Sequence, residues 1–310
     1  VIKNWHILIL LALAFFSCEK EIEIEMEERG GRLVLYSFIA PDSILQVHLS
    51  KSVSHLSVDD FERVYNGNIT VYRNDRIVDD FIFPFDESWA NRYGVNFSSG
   101  DSILIEAFDG SGQSVSGKTI IPDTVPFLWA DTATVVRSDN KDGERKVLNC
   151  KLTISDPAVI KNYYQLIIFE QICRMEEGVV KCEQKRVVYD KTDPVFFVQS
   201  KEGSLIGEID FDGCFSDTLF NGENYNLEVD LPLEYATVPD QNGASRKIYF
   251  LLLSHTRGFY DYYRSRVVAE YGYDLPIIDP IRIYNNIDGG LGLVTGYNVT
   301  SDSLIFDNGI

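Results

Sequence analysis

Apolar and polar residues alternate in short runs along most of the chain, and Asn, Asp, Gly and Pro separate the runs. Leu33 to Ile39 predicts a first strand and Pro41-Asp42-Ser43 a turn. In the next run Leu45, Val47 and Leu49 fall on one face, because successive strand side chains point to opposite sides. Asn66-Gly67 turns the chain into Ile69 to Tyr72, Asn74-Asp75 into Ile77-Val78, and Ser99-Gly100-Asp101 into Ile103 to Ala107. Asp109 to Gly112 then leads to a run ending at Ile121-Pro122. Turn residues that tolerate positive φ stand where hairpins need them. Residues 33–122 therefore predict an N-terminal β-sandwich, immunoglobulin- or transthyretin-like.

Pro122 and Pro126 bracket an extended linker, so a second β domain is expected over 123–310. Its clearest strands are Lys146–Ile154, Tyr163–Cys173, Val179–Tyr189 and Ile248–Ser254. Thr256–Tyr271 is the one helical stretch: Phe259, Tyr262, Tyr263, Val267 and Tyr271 share a face, and Gly272 fits its stop. The expected class is mainly β, two sandwich-like domains with one helix.

The N-terminus follows another pattern. After Lys3, Ile7 to Phe16 is an unbroken apolar run, shorter than the roughly 20 residues a membrane span requires. It fits the core of a secretory signal peptide over 1–17. Ser17-Cys18 closes it as a small residue before cysteine, similar to the lipobox of bacterial lipoproteins, with Phe15 where leucine is usual. Cys18 is the expected lipidation site. Each buried acyl CH₂ contributes about 0.8 kcal/mol, so several chains make a permanent anchor. Residues 18–32 would be a tether, and six of the ten residues 19–28 are Glu. The net charge of −19 disfavours nucleic acid as a partner, since phosphate contacts need clustered Lys and Arg.

With Cys18 assigned to lipid, Cys150, Cys173, Cys182 and Cys214 remain. An exported chain favours disulfides. Cys173 and Cys182 flank a hairpin-like turn, which suggests that pair and, by elimination, 150–214; the other pairings and free thiols stay open.

Motifs for chemistry are sparse. Gly289 to Gly296 lacks the helix that a dinucleotide loop requires and reads as a glycine-rich bend between strands. Glu208, Asp210 and Asp212 followed by Gly213, with Asp217 beyond, are weak calcium candidates; Leu219 stands where a bidentate Glu belongs. His48, His55 and His255 have no recognisable catalytic setting, and no nucleophile elbow is present. No catalytic residue and no cofactor is expected.

Three landmarks occur in order: Phe220-Asn221-Gly222-Glu223-Asn224-Tyr225 with its following strand, Tyr249–Ser254 leading to Phe259-Tyr260-Asp261-Tyr262-Tyr263, and Pro280 to Tyr297 with its Asn286-Ile287-Asp288-Gly289-Gly290-Leu291-Gly292 core. With the lipobox they resemble the domain-of-unknown-function family 4249 of Bacteroidota lipoproteins. The resemblance implies an outer-membrane lipoprotein, lipid-anchored and facing the cell surface, beside a TonB-dependent (SusC-type) receptor. It carries over no catalytic residue. The acidic run after Cys18 is similar to the surface-export signal of such proteins. Asp-Ser/Thr followed by a small or aliphatic residue recurs at Ser43, Ser102, Thr124, Thr132, Thr218 and Ser303, and resembles an O-glycosylation acceptor; simple strand starts after turns are the equal alternative.

The leading expectation is a non-catalytic accessory protein that captures a ligand or forms a lid on a transporter. Tyr260, Tyr273, Tyr284 and Tyr297 would be its stacking rings if exposed. A structural or adhesion protein is the alternative. An exported hydrolase is third and requires convergent carboxylates of raised pKa in a cleft.

Overall fold

A computed structural model describes residues 31–54, 57–139, 143–158, 160–197, 209–238, 244–272 and 282–307. The fold is mainly β, with one α-helix among the described residues. Cys18, Glu208 and Tyr273 lie outside the described residues.

The N-terminal half contains β1 (Leu33–Ile39), β2 (Leu45–Lys51), β3 (Glu62–Arg63), β4 (Asn68–Arg73), β5 (Arg76–Ile82), β6 (Ala90–Arg92), β7 (Ser102–Phe108) and β8 (Ser114–Ile120). Alternation places Leu33, Leu35, Leu45, Val47 and Leu49 inward, against Ile69, Val71, Ile103, Ile105 and Ala107 of the facing layer. This is a sandwich, as the pattern predicted.

The C-terminal half contains β9 (Phe127–Asp139), β10 (Gly143–Ser155), β11 (Tyr163–Glu176), β12 (Val179–Arg186), β13 (Cys214–Ser216), β14 (Asn224–Pro232), β15 (Ser245–His255), β16 (Ile287–Asp288) and β17 (Leu291–Asp307). Its core lies between Leu166, Ile168, Ile248, Phe250 and Leu252 on one layer and Leu148, Leu152, Leu227, Val229 and Leu231 on the other. Helix α1 (Arg257–Gly272) leaves β15 directly and packs across the outer sheet face. Phe259 meets Phe38 edge-on, and Tyr262 meets Tyr36. Val267 is buried as its spacing suggested, but Tyr271 is 49% exposed.

The two halves do not close separately at the proline linker. One nine-stranded sheet runs β12-β11-β15-β17-β1-β2-β3, with β13 on β11 and β6 on β2. β14-β10-β9 and β16-β8-β7-β4-β5 form the two covering sheets. β17 first pairs parallel with β1, Leu35 opposite Gly292, and then antiparallel with β15, Leu252 opposite Thr300. The last strand therefore belongs to both halves, and Ile287 and Val294 enter the N-terminal core. The glycine-rich run exists for this passage. At Gly292, with φ of 120°, a Cβ would stand 2.0 Å from the Leu35 carbonyl oxygen.

Cys173 and Cys182 form the expected disulfide across β11–β12, below the Glu177-Gly178 turn with both φ positive. Cys150 and Cys214 are free, which corrects the 150–214 pairing. They belong to different sheets, β10 and β13, and apolar burial pushes the Cys150 thiol up to about 12 and Cys214 higher still.

Candidate ligand cleft

After β12 the chain crosses from the nine-stranded sheet to the β14 layer. Val187 N–H donates to Ile168 O, and Asp190 forms an isolated bridge with Asp230. Asp193 anchors the crossing: its carboxylate accepts from Tyr225 Oη at 2.6 Å, Glu228 N at 3.0 Å and Val195 N at 3.0 Å. That fixes the short 3₁₀ turn Pro194–Phe197, which inserts Phe196 edge-on against Phe215.

Beneath this crossing lies a cleft of about 390 Å³. Tyr189, Phe196 and Cys214 are its buried floor, and Phe197 and Phe211 are apolar walls. Tyr189 Oη donates to Leu166 O at 2.7 Å, and burial raises its pKa strongly. Gly213 passes so close that a Cβ would lie 2.3 Å from Tyr189 Oη. The rim is charged but internally neutral: Arg145 pairs with Asp190 at 2.7 Å and Lys191 with Asp210 at 2.8 Å. Val188, 85% exposed, and Phe197, 50% exposed, offer apolar surface at the mouth.

The described carboxylates of the acidic loop are engaged by protein partners. Asp210 is held by Lys191, and Asp212 accepts Arg186 Nη2 with both oxygens at 2.7 Å. Asp217 faces away, buried, accepting Asn162 N at 2.6 Å. Its pKa is raised, by desolvation first. Lys191, Arg186 and the Asn162 amide take up oxygens of these carboxylates, Asp217 Oδ1 is buried without a hydrogen-bond partner, and no metal-binding cluster occurs among the described residues. Asp217 does not line the cleft, so the raised carboxylate and the cavity are separate.

Among the described residues, the proposed stacking rings Tyr260, Tyr284 and Tyr297 do not line the cleft. Tyr260 packs half-buried on Tyr163 at 4.8 Å, Tyr297 lies 6.1 Å from His255, and Tyr284 is 37% exposed. They serve the sheet–helix contact instead. His255 stacks on Phe259 at 3.8 Å, and burial lowers its pKa to about 3. His48 is bonded to Ser88 O and Ser50 Oγ, and burial lowers its pKa too. The sequence reading missed the cleft because its walls come from three separated segments, none with a periodic pattern. Phe196-Phe197 after Pro194 was the available signal.

The glycosylation-like positions fall in several settings. Thr124 is exposed in the linker, and Thr218 is exposed with its hydroxyl on Ser216 Oγ. Ser43 donates to Ala40 O in a turn. Ser102 opens β7, while Thr132 and Ser303 lie inside β9 and β17 rather than at loop starts.

The family described as a domain of unknown function (DUF4249) matches residues 19–303. The chain belongs to that family. No curated protein matches this DUF4249 chain. No helix among its described residues is long and apolar enough to cross a membrane.

Proposed function

We propose that this DUF4249 chain is a surface-facing outer-membrane lipoprotein, anchored through Cys18, and a non-catalytic accessory to a TonB-dependent receptor in ligand capture or lid formation. The observation that carries the non-catalytic reading is the cleft. Its floor is aromatic, its rim charges are spent on one another, and its tyrosine and thiol are held protonated by burial. Such a site holds a ligand by excluding water, and its tyrosine and thiol are not poised to exchange a proton near neutral pH. The anchoring part rests on the apolar run ending at Ser17-Cys18 and on the acidic leader behind it.

The test is gentle detergent extraction of the tagged protein, identification of any co-purifying outer-membrane barrel, and mass spectrometry of the mature N-terminus. A triacylated Cys18 and a stoichiometric barrel are expected. An unmodified Cys18 defeats the anchoring, and recovery of the chain alone defeats the accessory role. A structural or adhesion role is the second reading. The β11–β12 hairpin favours it, since every residue of β12 is exposed and Met175, Val179 and Val180 reach solvent near its disulfide.

A further inference from the structure

The recurring Asp-Ser/Thr step has a conformational meaning in two of its occurrences. Asp131 Oδ1 accepts the N–H of Thr132 at 2.8 Å, and Asp302 Oδ1 accepts that of Ser303 at 2.7 Å. Asn298 does the same for Val299 at 3.0 Å, and Asp79 for Asp80 at 3.0 Å. All four stand on open strand edges. β9 ends the β14-β10-β9 sheet, β5 ends the five-stranded sheet, and β17 has lost β1 on one side after Gly296. Val299 and Ser303 have the same parity, so both N–H groups point to that vacated side.

An N–H bonded to the preceding side chain is not offered to a neighbouring strand. Open edges otherwise template pairing with another chain. We propose that these Asp and Asn residues are edge guards, and that the partner excluded at β9 is a second copy of this chain. β9 is the edge most in need of one. Its Thr132-Ala133-Thr134-Val135-Val136 stretch has no Pro, Gly or charge, and is exposed or half-exposed on both faces. A two-fold axis through Thr134 would set Asp131 of one copy opposite Arg137 of the other, and Thr132 opposite Val136. The uncharged side chains from Thr132 to Val136 thus suit antiparallel self-pairing, Arg137 being already paired with Asp230 at 2.6 Å, and the outward N–H groups of Thr132, Thr134 and Val136 would supply the ladder. The cap on Thr132 removes the first of these donors.

Sedimentation velocity over a concentration series tests this on the full-length chain carrying Cys18→Ser, so that acyl chains do not drive association. The variants separate the hydrogen bond from the charge. Asp131→Asn keeps an oxygen at the capping distance and loses the charge; Asp131→Glu keeps the charge and carries it past the N–H. The parent and Asp131→Asn stay monomeric. Asp131→Glu sediments with a mass rising toward twice the monomer, and adding Thr134→Pro, which deletes an outward donor, restores the monomer. The proposal is overturned if Asp131→Glu stays monomeric. It is equally overturned if Asp131→Asn associates while Asp131→Glu does not, or if association survives Thr134→Pro. Asp131 is exposed, and Asp131→Ala serves as a second uncapped variant expected to associate as well.

Discussion

Replacing Gly292 by alanine probes the passage of β17 beside β1. The added Cβ would stand 2.0 Å from Leu35 O and 2.8 Å from its carbonyl carbon, and the backbone φ of 120° is one that L-residues rarely adopt. The conformation alone costs about 1–3 kcal/mol. The overlap is with main chain, so no rotamer change relieves it, and β1 must separate from β17 by more than an ångström. The register Val34–Leu291 to Ile39–Gly296 then loses the pairs around Leu35–Gly292 and loosens the inward Leu35 and Val294. The combined loss falls in the rare class above about 4 kcal/mol. A domain holds about 5–15 kcal/mol in total. Gly112→Ala is the control, with φ of 90° and no atom within 4 Å of the added Cβ. Urea titration followed by near-ultraviolet circular dichroism should give about 4 kcal/mol or more for Gly292→Ala and about 1–3 kcal/mol for Gly112→Ala. Equal losses in the two variants would refute the close-passage argument, because only the shared φ cost would remain.

Further outcomes follow from other contacts. Asp193→Ala leaves Tyr225 Oη and two backbone N–H groups without their acceptor, and should cost about 2–4 kcal/mol in the same titration. His255 is kept neutral by burial with a pKa near 3, whereas the unfolded chain takes up its proton near pH 6.5. The unfolded state therefore binds more protons between these values, and stability falls on acidification by up to about 1.4 kcal/mol per pH unit. His255→Phe keeps the stack on Phe259 and should flatten that limb. Asp109 moves the opposite way: burial would raise its pKa, but Lys51, the Ser111 hydroxyl and the Gln113 and Ser111 amides outweigh it and hold it well below the usual range. Its contribution is complete above about pH 4 and declines steadily as the pH falls toward the folded pKa, so Asp109→Asn should lower stability most at pH 7 and by clearly less at pH 2. Reducing Cys173–Cys182 should accelerate amide exchange across residues 174–186 while the cores keep their protection, since β12 buries nothing.

Elements with strict alternation were legible from the sequence. β1, β2, β4 and β7 each bury one face, so a period of two marks both their existence and their register. The helix was legible from its aromatic spacing. The full length of β9 was not, because Asp131 to Ser138 is mostly exposed on both sides and has no apolar face to mark it. β17 was obscured by its glycines, which are there for backbone contact rather than for a bend. The 150–214 pairing followed from cysteine parity, and parity carries no information about which sheet a residue occupies. The weak calcium candidates rested on spacing, which carries no trace of the partners Arg186 and Lys191 that reach Asp212 and Asp210 from a strand and a crossing.

The shared final strand also governs how the protein reaches its native state. Arg32 donates to Gly290 O across 258 residues, and every β1–β17 pair spans a comparable stretch of chain. Such contacts form late, after a large loop has closed, and they place the molecule at the slow, high-contact-order end of folding. Neither half can be completed before β17 has emerged, because the strand that closes the first layer follows every other strand of both halves. Deleting β17 should therefore abolish cooperative folding in both halves, and the chain will depend on being kept unfolded until β17 is available.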